Sequence, residues 1–232
     1  MTEKEKMLNG EIYYEKCDEL IKERESAKEL CYGYNILKPS EKNKRIEILK
    51  RILGKTKKNF LIEQPFICDY GYNIEIGENF YSNHNLTILD GNKVKFGDNV
   101  FIAPNCGFYT AGHPLDYETR NKGLEYAKPI TVGNNVWIGG NVVVLPGVTI
   151  GDNVVIGAGS VVNKDIQSNV VAVGNPCKVI KEIWFLMRVV ILLIVALIYD
   201  NISMIKNRLT IWMSRVFRKN FWHFFNKFLQ HK

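Results

Sequence analysis

The sequence predicts a mainly β chain wound as a solenoid of short strands. Two observations carry that expectation: a six-residue apolar period that keeps its phase over eight repeats, and an abrupt change of composition at residue 59. A third, one long interruption of the period, marks where chemistry is expected.

Residues 1–58 are rich in Glu and Lys, with apolar side chains at helical spacing: Cys17, Leu20 and Ile21, then Ile46, Leu49, Ile52 and Leu53. Two or three short amphipathic helices follow from this. Ser40, after Pro39, can cap the exposed amides of the second, and Gly54, which tolerates positive φ, can end it. The segment serves either as a packing or substrate-gating cap or as plain scaffold.

Residues 59–182 turn rich in Val, Ile, Gly and Asn. From position 132 the chain reads VGNNVW, IGGNVV, VLPGVT, IGDNVV, IGAGSV, VNKDIQ, with aliphatic residues at Val132, Ile138, Val144, Ile150, Ile156 and Val162. The same phase opens FGDNVF and IAPNCG, at Phe96 and Ile102. A fixed short period identifies stacked repeats. Six residues hold a short strand and a turn, and three such sides close a coil of about 18 residues. The first residue of each hexad points inward and stacks on its counterpart, while Gly, Asn and Asp supply turn conformations.

Between IAPNCG and Val132 the hexads stop, and a loop over residues 108–129 leaves the coil. A long excursion from a tight repeat is usually functional. It carries His113, between Gly112 and Pro114, with Asp116, Arg120, Glu125 and Tyr126. An imidazole titrating near neutrality can take a proton from an attacking group; read alone, a loop histidine is more often a solvated surface residue.

Residues 183–232 break the pattern again. The apolar run Ile183–Tyr199 contains Arg188, so it is short and interrupted for a spanning helix. Ile205, Leu209, Trp212, Val216, Phe221, Phe224, Phe225 and Phe228 then recur at helical spacing opposite Lys206, Arg208, Arg215, Arg218, Lys219 and Lys227. Such a helix suits an anionic membrane surface, or else packs on the solenoid or between subunits as a terminal cap.

Charge follows the same division. Residues 183–232 hold 8 basic residues and one acidic, so the remaining 23 Lys+Arg and 23 Asp+Glu leave residues 1–182 neutral, and the formal +7 belongs to the extension. A neutral body offers no phosphate-tracking surface, which argues against a nucleic-acid partner. The five cysteines are odd in number, widely spaced and unclustered with histidine, which suits reduced thiols and neither a disulfide framework nor a metal site. With an N-terminus charged throughout, a cytoplasmic protein is expected, peripheral at the membrane if the extension binds lipid. No nucleotide-binding glycine loop, serine elbow or zinc motif is present, and the glycines of WIGGN and IGAGS fall at hexad turns.

The segments NGEIYY, FICDYGYNIEIGENFYSNHNLTILD, TAGHP, KPITVGNNVWIGGNVVVLPGVTIGDNVVIGAGSVV and VAVGNPCKVI together resemble the maltose and galactoside O-acetyltransferases, a branch of the hexapeptide-repeat acyltransferases, over about residues 5–182. The resemblance implies a left-handed parallel β-helix, a hand that parallel connections rarely take, assembled as a homotrimer. It implies acetyl-CoA lying between neighbouring subunits and a carbohydrate acceptor, with no metal. On this resemblance His113 matches the general base, and Asn83 a polar residue that contacts the acceptor and orients the reacting groups. Glu15, Asp69, Asp90 and Glu125 fall in the acceptor region. Trp137 matches an aromatic beside the cofactor arm. Gly140, Ala158, Asn163, Lys164, Lys178 and Lys181 match positions that line or bind coenzyme A, the lysines suiting its phosphates. His84, Gly91 and Glu125 lie where members vary, which leaves the sugar open, and the extension after Glu182 has no counterpart. The expected activity is acetyl transfer from acetyl-CoA to a sugar hydroxyl. Two alternatives stand beside it: a membrane-associated acetyltransferase of a glycan precursor, and a repeat scaffold without activity.

Overall fold

A computed structural model describes residues 1–183. The expected amphipathic extension and its membrane contact lie outside the described residues. Strands of two to four residues stack into three parallel ladders, which the chain visits in turn over about six coils. The first ladder takes Lys55–Thr56, Ile74–Ile76, Val94–Phe96, Ile130–Val132 and Thr149–Ile150. The second takes Phe60–Ile62, Phe80–Ser82, Phe101–Ile102, Trp137–Ile138, Val154–Ile156 and Val170–Val173. The third takes Phe66–Cys68, Leu86–Leu89, Gly107–Tyr109, Val143–Val144 and Val161–Val162. A last strand, Lys178–Glu182, reverses and pairs antiparallel with Val170–Val173. The solenoid expected from the hexads is thus the parallel β-helix observed. Its first strand, Lys55–Thr56, already lies within residues 1–58.

The reason the period works is visible in the burial pattern. Phe96, Ile102, Val132, Ile138, Val144, Ile150, Ile156 and Val162 are all buried in one continuous core. Val136, Val142, Val148 and Val154, two residues earlier in each strand, form a second buried rank, because alternate residues of a strand share a face. The fourth position takes positive φ in every hexad but the last, where it is Asp165: Asn99, Asn105, Asn135, Asn141, Gly147, Asn153 and Gly159. Asparagine tolerates this region better than other residues with a β-carbon. Its amide also bonds between coils, as from Asn99 Nδ2 to Asn135 Oδ1 at 3.1 Å and from Asn153 Nδ2 to Asn169 Oδ1 at 2.9 Å.

Coil length differs from the expected hexad triplet. Phe60 pairs with Phe80, and Tyr81 with Phe101, so the lower coils take 20 residues. Trp137 pairs with Val155 after 18 residues, and Val155 with Val171 after 16. The hexad phase therefore holds in the upper coils of 18 residues and slips in the lower ones and in the last, 16-residue coil.

Three helices precede the coils: α1 (Glu3–Asn9), α2 (Asp18–Asn35) and α3 (Lys42–Ile52). Cys31 and Tyr34 of α2, with Leu49, Ile52 and Leu53, extend the solenoid core over Ile62 and Phe66. Two expectations for α3 are corrected. Its N-cap is Glu41, with no side-chain capping bond, rather than Ser40. Gly54 is not in the positive-φ region; it is needed because a β-carbon there would collide with the carbonyl oxygen of Tyr72. Ile46 is exposed, and Arg45 is buried in its stead, donating to Tyr34 Oη at 3.2 Å, to the Ile62 carbonyl at 3.1 Å and to Glu63 Oε2 at 2.9 Å. A buried guanidinium is tolerable only when paired in this way.

Candidate functional site

The long loop leaves the third ladder after Tyr109 and rejoins the first at Ile130. Its ends meet: Lys128 N donates to the Thr110 carbonyl at 2.8 Å, and Thr110 N to the Leu89 carbonyl at 3.0 Å. Within it, Ala111–Gly112 pairs antiparallel with Leu124–Ala127, which pairs in turn with Tyr13–Tyr14 from the N-terminal segment. A short helix α4 (Tyr117–Asn121) turns the loop. Asp116 caps it, Oδ2 accepting from Thr119 N at 2.7 Å, and Arg120 Nη1 donates to the carbonyls of Pro114 and Leu115 at 3.1 Å. These two charged residues therefore shape the loop. Gly112 lies against the Tyr126 ring, where a β-carbon would collide, and His113 emerges directly after it.

His113 Nε2 lies 3.6 Å from Glu125 Oε1, with the histidine side chain 54% exposed and that of Glu125 20% exposed. The other oxygen, Glu125 Oε2, accepts from Tyr13 Oη at 2.8 Å. Burial, reinforced by the facing carboxylate, pushes the Tyr13 phenol above its ordinary range, so it remains a donor at neutral pH. Next to this group, Arg24 of α2 donates to Tyr70 Oη at 2.7 Å, to the Glu15 carbonyl at 2.8 Å and to Glu15 Oε2 at 3.0 Å. Burial raises the Asp69 carboxyl, with Arg24 opposing and Glu125 adding to the shift. His113, Glu125, Asp69 and Glu15 are thus gathered around one cluster with Tyr13, Tyr70 and Arg24.

Asp90 does not belong to that surface. It is wholly buried, and its carboxylate accepts from the backbone N–H groups of Asp69, Tyr70 and Asn73 at 3.1, 2.9 and 3.3 Å. Expected in the acceptor region, it instead shapes the turn that carries Asp69. Burial pushes its pKa up to about 7 despite these donors.

The remaining candidates lie elsewhere on the coils. Trp137, 58% exposed, stands in an outward column with Phe101 and Tyr81 on the second ladder. A shallow groove of about 430 Å³ runs along it, lined by Tyr81, Asn83, Phe101, Ile102, Ala103 and Trp137. Asn83 is fixed there by its backbone N–H, which donates to the Ile102 carbonyl at 2.8 Å. Gly140 and Ala158 occupy stacked corners after this ladder: Gly159 N donates to the Gly140 carbonyl at 2.8 Å, and a β-carbon on Gly139 would collide with the Ala158 backbone. Asn163 and Lys164 are exposed at the corner after the third ladder, and Lys178 and Lys181 on the reversed strand. Among the described residues, no hydrogen bond or ion pair joins the His113 cluster to the Trp137 groove, and no group of three or more His, Cys, Asp and Glu converges as a metal site.

Sequence reasoning missed Tyr13, Arg24 and Tyr70. The tyrosines stand inside the quoted segments NGEIYY and DYGYNI, but nothing local signals that their hydroxyls face Glu125 and Arg24.

Two families match the chain. "Maltose acetyltransferase hexapeptide capping motif" covers residues 6–57, and "Bacterial transferase hexapeptide (six repeats)" covers residues 129–164. The galactoside O-acetyltransferase of Escherichia coli is 50% identical over 179 residues, 77% of this chain and 88% of that protein. A crystal structure of a maltose O-acetyltransferase from Clostridium difficile superposes with a TM-score of 0.79 at 55% identity, covering 80% of this chain and 99% of that one. A galactoside acetyltransferase in complex with coenzyme A superposes with a TM-score of 0.77 at 49% identity, covering 79% and 92%.

Proposed function

Because the chain belongs to the maltose and galactoside O-acetyltransferase family and is an acetyl-CoA-dependent acetyltransferase, we propose that its acceptor is a sugar hydroxyl and that His113 is the general base. The observation that carries this reading is the pairing of a half-exposed imidazole with the Glu125 carboxylate at 3.6 Å. Asp69 and Glu15 stand beside it as hydroxyl-recognising groups. The acceptor oxygen attacks the thioester carbonyl as its proton passes to the imidazole. The new C–O bond forms, the C–S bond breaks, and the departing thiolate takes the proton from the imidazolium to leave as coenzyme A thiol.

Trp137 and the groove around it receive the cofactor arm, with Gly140 and Ala158 allowing close backbone approach. Asn163, Lys164, Lys178 and Lys181 line or face the phosphates. Asn83, in the same groove, orients the reacting groups. A site shared between copies of a homotrimer belongs to the same reading.

The test is release of free coenzyme A from acetyl-CoA by the full chain and by His113→Ala, against glucosides, galactosides, maltose and amino sugars. Acceptor-dependent release that falls by about 10²–10⁴-fold in the variant, with acetyl-CoA binding retained, is the expected result. Near-normal turnover in His113→Ala removes the histidine from the mechanism. Acetyl-CoA binding without transfer to any carbohydrate points to an inactive scaffold.

A further inference from the structure

We propose that Glu125, held by the phenol of Tyr13, is a positioning residue that holds the His113 imidazole in its reactive orientation. This extends its expected part in acceptor contact and rests on the reading of His113 as general base. Three features converge on it. Tyr13 and Glu125 are direct partners across the antiparallel pair of Tyr13–Tyr14 with Leu124–Ala127, so the backbone register brings them together. The Tyr13 ring is buried, and its hydroxyl holds Glu125 Oε2 at 2.8 Å. That bond leaves Oε1 free to face His113 Nε2 at 3.6 Å. A carboxylate at this position orients the imidazole so that the other ring nitrogen is available to the acceptor hydroxyl. When that nitrogen takes the hydroxyl proton, the ring becomes a cation beside a fixed anion; when the proton passes to the coenzyme A thiolate, the ring returns to neutral.

The surrounding charges leave Glu125 in this role. Arg24, the nearby cation on α2, is engaged by Glu15 and Tyr70. Asp69 and Tyr70, from the turn after Phe66–Cys68, bring a second carboxyl and a phenol. On the Glu125 strand and just beyond it, Lys128 lies over the Tyr126 ring, 5.7 Å from its centroid.

The experiment is the steady-state kinetics of acetyl transfer to the best sugar acceptor. Wild type is compared with Glu125→Gln, Glu125→Asp, Tyr13→Phe and His113→Ala. In Glu125→Gln kcat falls about tenfold while KM for the sugar changes less than about threefold. Glu125→Asp restores most of the lost kcat, and Tyr13→Phe gives a smaller loss in the same direction. A sugar KM that rises with kcat unmoved overturns the proposal and returns Glu125 to sugar contact alone. If His113→Ala retains turnover, the general-base reading itself falls; if it is inactive while Glu125→Gln turns over as wild type, only this inference falls.

Discussion

The upper coils and the loop over residues 110–129 obey opposite rules. In the coils each residue repeats the task of its counterpart one rung away: Val132, Ile138, Val144, Ile150, Ile156 and Val162 all fill the same core. In the loop no residue repeats another. Gly112 clears the Tyr126 ring, Asp116 caps α4, and Glu125 joins Tyr13 to His113. Stability is thus spread over many equivalent contacts in one region, while each contact in the other depends on a single side chain.

Substitutions break or sharpen that contrast. The largest stability effect is expected from Ile138→Ala, because this fully buried side chain touches coils on both sides. A loss of about 2–5 kcal/mol is expected, read as a lower urea midpoint, while His113→Ala leaves the midpoint in place. A wild-type midpoint for Ile138→Ala would mean that the coils do not share their core as described.

A pH effect is expected from Asp90. Its folded pKa, pushed up to about 7, lies above its unfolded value, so the folded chain binds the extra proton. The contribution is fully present below the unfolded carboxylate value and is lost as pH rises toward 7. Melting curves of wild type and Asp90→Asn should therefore diverge in favour of wild type as pH is lowered from 8 to 5. Parallel curves would show that the three backbone donors keep this carboxylate ionised.

Smaller still, Asn153→Ala places a β-branchless but sterically restricted residue at φ 54° and removes the bond to Asn169. A cost of about 1–2 kcal/mol is expected, with Asn153→Gly recovering part of it. Equal stability of the two variants would shift the weight from conformation to the amide bond. At the gentlest end, Trp137→Ala should raise KM for acetyl-CoA by about tenfold or less without moving the melting temperature, since its ring is outside the core. A fall in kcat with unchanged KM would place the tryptophan in the chemical step.

The same contrast explains what could be foreseen. The inward residues and the turn asparagines of the upper coils were legible because each hexad repeats one local geometry. The lower coils were not: at 20 residues per turn their corners hold extra residues, and Phe80 and Leu86 lose the phase although they share the core. His113 stood out by lying in the interruption. Tyr13 could not, because it meets Glu125 across 112 positions of sequence, and neither neighbourhood announces the other. Asp90 misled for a related reason: a carboxylate in an acceptor-region segment reads the same whether it faces a ligand or, as here, three backbone amides. Ser40 was a plausible cap one residue too early, since helix ends are set by tertiary packing as much as by capping preference.

The closure of the loop by Lys128 and Thr110 has a bearing on how such enzymes diversify. Trp137 pairs with Phe101 across 36 residues as evenly as it pairs with Val155 across 18, so the ladder does not register what hangs between its rungs. Lengthening a loop whose ends are already joined adds little closure entropy. The excursion is in effect a socket: its contents can be rewritten, residue by residue or as a whole segment, while the winding beneath stays the same. The segment that carries His113 and Glu125 can then change under selection or in the laboratory with the coils left untouched.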